Sequence, residues 1–113
     1  MPYIKEDRRK SLDSYISLLA MTIKLNANDN IKLYDEEGSK LTNEQFLEIA
    51  GDINYCVSRL ISRVMGDISY GKIAIITGVL ENINQEFYRR AASTYEDKKI
   101  LENGDIQEYK KLN

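Results

Sequence analysis

The sequence predicts an all-α protein of three long helices plus a short C-terminal helix, with a small β-hairpin at 31–41 as the one candidate exception. Three observations predict it. Apolar residues recur at spacings of three and four over most of the chain, the mark of one helical face. The single proline is Pro2, so nothing breaks a helix from Tyr3 onward. Clusters of Asn, Asp and Gly fall between the apolar stripes, where turns are needed.

The first helix is expected from Glu6 to Leu25. Leu12, Tyr15, Ile16, Leu19 and Ile23 form its stripe, and the acidic Glu6 and Asp7 suit a helix start, where backbone N–H groups point outward. The run from Asn26 to Asn30 ends it, because Asn and Asp compete for backbone hydrogen bonds. In the next stretch Ile31 and Leu33 alternate with polar residues, and Asp35 to Gly38 read as a turn. That pattern fits a hairpin, with a loop as the alternative. The carboxylate group Asp35-Glu36-Glu37 reads as a solvated turn.

The second helix has the strongest start signal. Thr42-Asn43-Glu44-Gln45 matches a capping box, followed by the stripe Phe46, Ile49, Ala50, Ile53, Val57, Leu60, Ile61 and Val64. Gly66-Asp67 stops it. A third helix starts near Asp67 or Ser69 and carries Ile73, Ile76, Val79, Leu80, Ile83, Phe87 and Ala91. Gly78 inside it reads as a place for close helix packing. Ser93-Thr94 reads as punctuation before a short fourth helix, Tyr95 to Glu102, stopped by Asn103-Gly104. One continuous rod is the alternative. The chain is read as a single helical domain, 1–113, with 105–113 a fraying tail.

Composition excludes several function classes. The chain has 113 residues, 16 basic and 18 acidic, for a formal charge of −2, so no bulk positive field holds a nucleic-acid polymer. Histidine is absent, which removes imidazole bases and His metal ligands. The lone Cys56 forms no internal disulfide and reads as a buried structural thiol. No phosphate-binding glycine loop and no nucleophile elbow is present. Glu102 to Asp105 has one half of the spacing that all-α magnesium pyrophosphatases use, without the preceding Glu-x-x-Glu. No catalytic residue, metal or cofactor is therefore expected. The absence of a leader or an apolar span predicts a cytoplasmic protein that engages no membrane.

Polar residues set among apolar helix positions are more informative. Asn54, Tyr55, Ser58, Arg59 and Arg63 interrupt the second helix, with Tyr55–Arg59 and Arg59–Arg63 one turn apart. Glu86-Phe87-Tyr88-Arg89-Arg90 packs charge around an aromatic, and Tyr95, Glu96 and Asp97 follow. Glu86 is placed to pair with Arg90, leaving Arg89 for another partner. The plain reading is a salt-bridge network that fixes register. The sharper one is an anion site of Asn54, Tyr55, Arg59, Glu86, Tyr88, Arg89, Arg90, Tyr95, Glu96 and Asp97, in which arginine forks bind phosphate or carboxylate and tyrosine stacks. It requires arginines from two helices to meet.

These residues also carry a resemblance. Met1 to Lys5, Asn54-Tyr55 with Arg59-Leu60, Gly78 to Glu81, Glu86 to Arg90, and Tyr95 to Asp105 resemble the motifs of a family of small uncharacterised helical proteins of bacteria and their phages. This chain has Thr94 where the family usually has proline, and its 31–41 stretch looks like an addition. The resemblance implies a helical fold and a bacterial or phage setting, and no reaction type.

Three function classes follow. The first is a non-enzymatic, oligomeric protein that captures an anionic small molecule, for example a nucleotide. The second is a protein-interaction or regulatory subunit, such as a phage accessory protein acting on a host protein. The third is an enzyme using Glu81, Glu86, Glu96 and Asp97. The wide apolar arc of the second and third helices, with Cys56, Met65, Ile68, Ile75 and Leu101 partly outside the main stripes, predicts a homo-oligomer.

Overall fold

A computed structural model describes residues 2–28 and 41–112. The chain divides into two compact units, Tyr3–Ile68 and Ser69–Asn113 with Met1–Pro2, and each is described by itself. All regular structure among the described residues is helical. The hairpin reading at 31–41 and the Asp35-Glu36-Glu37 turn fall on 29–40, outside the described residues.

In the first unit, α1 spans Glu6–Ala27 and α2 spans Asn43–Met65. The start of α1 is steadied by Arg9, whose Nε donates to the Ile4 carbonyl at 2.7 Å. The helix runs two residues past Leu25. Asn26 stays inside it and donates from its side chain to Asp52 of α2 at 3.3 Å, a tertiary bond that offsets its turn preference. The predicted box caps α2: the Gln45 N–H donates to Thr42 Oγ1 at 3.1 Å, and the Thr42 N–H donates to Gln45 Oε1 at 2.9 Å. Gly66, at φ 67, ends α2 in a conformation that favours glycine. The two helices pack against each other, and Ile49 of α2, 4% exposed, is the one buried apolar side chain among the described residues. Cys56 on α2 is a free, half-buried thiol.

In the second unit, α3 spans Tyr70–Phe87, and the Lys72 N–H donates to the side chain of Ser69, its cap, at 3.2 Å. A π-helical turn, Tyr88–Ala92, follows and runs directly into α4, Ser93–Asn103. The Ser93 N–H reaches the Tyr88 carbonyl five residues back. Ser93-Thr94 is thus no break. Ala92 and Ser93 keep right-handed helical angles, and with no glycine or proline there the wider turn carries the chain through. Gly104, at φ 85, ends the rod. The tail then forms one more turn, α5, Gln107–Lys110, behind an Asp105 side chain that accepts the Ile106 N–H at 2.8 Å.

Gly78 serves no close approach within its own unit among the described residues. A Cβ built on it meets nothing within 4 Å. None of the helices of the second unit has a fully buried residue.

Candidate functional site

The predicted site residues fall in both units. Asn54, Tyr55 and Arg59 lie on α2 of the first, and the other seven lie on α3, the π turn and α4 of the second.

On α2, helical spacing of three and four lines up Tyr55, Ser58, Arg59, Ser62 and Arg63 along one shallow groove of about 400 Å³. The Arg59 Nη1 donates to the Tyr55 hydroxyl at 2.8 Å, and its guanidinium carbon lies 5.6 Å from the Tyr55 ring centre. That distance is within cation–π range. The phenol thereby fixes the guanidinium and leaves its other N–H donors unspent. The Ser58 hydroxyl donates to Asn54 Oδ1 at 3.3 Å. Neither Arg59 nor Arg63 has a carboxylate partner among the described residues. Two like charges one helical turn apart cost about 0.2–0.5 kcal/mol when nothing neutralises them. Ser62 and Arg63 complete this groove although the ten predicted site residues omit them. Their signal was the same i, i+4 spacing that links Ser58 to Ser62 and Arg59 to Arg63.

In the second unit the seven candidates separate onto three surfaces. Glu86 and Arg89 line a small pocket of about 140 Å³ with Pro2, Asn82 and Gln85. Arg89 Nε and Nη2 donate to the same oxygen, Glu86 Oε1, at 2.7 and 2.6 Å. The expected Glu86–Arg90 pair does not form. The π turn carries Arg90 to a different groove of about 460 Å³, beside Thr94, Tyr95, Lys98 and Leu101. There Arg90 has no hydrogen-bond or ion-pair partner among the described residues. Tyr95 carries the Lys99 ammonium 5.4 Å from its ring centre. Tyr88, Glu96 and Asp97 line a third groove of about 510 Å³, closed on one side by Ile106 and Tyr109 after the Gly104 turn. Asp97 also borders the Arg90 groove.

Of the carboxylates considered for catalysis, Glu81 accepts from the Gln85 amide at 2.9 Å and Glu86 is engaged by Arg89. No group of three or more metal-ligating side chains converges among the described residues. No helix among them is long and apolar enough to cross a membrane.

The model of one protein family, Domain of unknown function (DUF6899), matches residues 1–106. The chain belongs to this family. The match covers every motif that carried the resemblance, from Met1 to Asp105. No curated protein and no solved structure matches the chain.

Proposed function

We propose that this protein is a non-enzymatic binding protein that captures a small phosphate-bearing anion, such as a nucleotide, on the arginine face of α2. One observation carries the reading. Arg59 and Arg63 stand a turn apart with no carboxylate partner among the described residues, in a groove that also presents the hydroxyls of Tyr55, Ser58 and Ser62. A phosphate oxygen accepts from guanidinium forks and hydroxyls alike, and each charge-assisted bond contributes about 1.5–3 kcal/mol. Binding also relieves the repulsion between the two cations. The Tyr55 ring offers a base a stacking face, and because the groove is open, salt weakens capture.

The π turn supports the same chemistry in the second unit. Such turns recur at functional sites, and this one places the unpaired Arg90 beside Thr94, Tyr95 and Lys98. In this proposal the protein works in the cytoplasm of a bacterium or of a phage-infected host, the setting that the resemblance implies.

Isothermal titration with inorganic phosphate and a nucleotide panel, at low and at high salt, tests the reading. The expected result is saturable heat that falls with salt and is lost in Arg59→Ala/Arg63→Ala. Absence of heat with every anion at low salt overturns it.

A further inference from the structure

The anion groove of α2 contains a repeat. Its lining carries the dipeptide Ser-Arg twice, Ser58-Arg59 and Ser62-Arg63. The two pairs stand four residues apart, about 6 Å along the axis, so hydroxyl and guanidinium recur on the same face. All five lining residues belong to α2, and the helix alone sets their spacing. No carboxylate lines the groove. Tyr55 keeps the two cations apart. The bond from Arg59 Nη1 to the Tyr55 hydroxyl at 2.8 Å, with the ring contact at 5.6 Å, holds this guanidinium back over the preceding turn, away from Arg63.

We propose that the groove selects a diphosphate, free or as part of a nucleoside diphosphate, with one phosphate on each Ser-Arg pair. The inference rests on anion capture by α2 and adds the number of phosphates. A single phosphate set between the pairs takes one donor from each guanidinium, because the two are held apart. A diphosphate brings outer oxygens to both, so each fork closes on its own phosphate with two parallel bonds. The serine hydroxyls donate at the same two ends, Ser58 by exchanging its long 3.3 Å bond to Asn54. The C-terminal end of α2 lies near Arg63 and disfavours an anion there, by less than one charge-assisted bond contributes. A nucleoside diphosphate runs with its base toward Tyr55 and its terminal phosphate on Arg63.

The test is calorimetric titration of the full chain, at low salt in metal-free buffer, with phosphate, pyrophosphate, AMP and ADP. Pyrophosphate is expected to bind about tenfold or more tightly than phosphate, and ADP than AMP by a similar factor. ADP binding tighter than pyrophosphate assigns the diphosphate to a nucleotide, and equal binding assigns it to the free ion. Arg59→Lys and Arg63→Lys keep the charge and lose the fork, so in each the preference for pyrophosphate over phosphate falls to within about twofold. Tyr55→Phe frees Arg59 from its phenol and lowers the same preference. Circular dichroism establishes that the variants stay helical. Equal affinity for phosphate and pyrophosphate overturns the inference and leaves anion capture standing, whereas absence of heat with all four removes both. A preference that persists in both lysine variants follows net charge alone and also overturns the inference.

Discussion

The two units solve the burial problem differently. In Tyr3–Ile68, α1 and α2 lie against each other, Ile49 of α2 is buried, and a side-chain bond from Asn26 to Asp52 ties the pair. In Ser69–Asn113, α3, the π turn and α4 form one continuous rod with no fully buried side chain, although α3 is the more apolar in sequence. Apolar character and burial are thus separate properties. The stripe of a helix states which face needs cover, and only a neighbour supplies it. The first unit carries its neighbour within itself. The second has no such neighbour within its own unit.

Perturbing the sealed residue sharpens this contrast most. Ile49→Ala removes the centre of the first unit and is expected to lower stability by about 2–4 kcal/mol, the usual range for a buried isoleucine. Urea unfolding followed by circular dichroism checks it. Ile75→Ala, at a site already exposed on α3, is expected to stay within about 0.5 kcal/mol. Equal losses at the two positions would break the comparison.

The arginine face comes next. Arg59→Ala is expected to weaken phosphate or nucleotide binding about tenfold, the loss of one charge-assisted contact, and Arg63→Ala by a similar factor. Both should leave the melting temperature nearly unchanged, since neither arginine has an ion-pair partner to lose among the described residues. Calorimetric titration beside thermal melting separates the two effects. Thr42→Ala removes the capping-box bond from the Gln45 N–H to Thr42 Oγ1 and is expected to cost about 1 kcal/mol, read as a lower urea midpoint. The smallest effect runs the other way. Gly78→Ala is expected to stabilise α3 by up to about 1 kcal/mol, because the added methyl meets open space at a helical position. Destabilisation there would reveal a neighbour that approaches Gly78.

Much of the fold was legible because its signals are local. Thr42 with Gln45, Ser69 before Tyr70, Gly66 and Gly104 each set backbone geometry within a few residues. The continuity from α3 into α4 was not. Serine and threonine are good caps, so Ser93-Thr94 resembles a boundary, but a π turn inserts its extra residue without a sequence mark. The same turn hid the partner of Glu86. An unbroken helix makes Arg89 and Arg90 equally eligible, and the structure gives the carboxylate to Arg89. On α2 no such irregularity intervenes, and the i, i+4 ladder from Tyr55 through Arg59 to Arg63 stands as the spacing implies. The exposure of Phe87 and Ile83 was illegible for another reason: periodicity says nothing of what lies opposite.

Arginine side-chain NMR tests the capture of anions by α2 most directly, because it resolves each guanidinium. On titrating inorganic phosphate at low salt, the Nε–H signals of Arg59 and Arg63 should move together and saturate. That of Arg89, already held by Glu86, should stay in place. Signals of Arg59 and Arg63 that remain fixed, or that move no more than that of Arg89, would contradict the account.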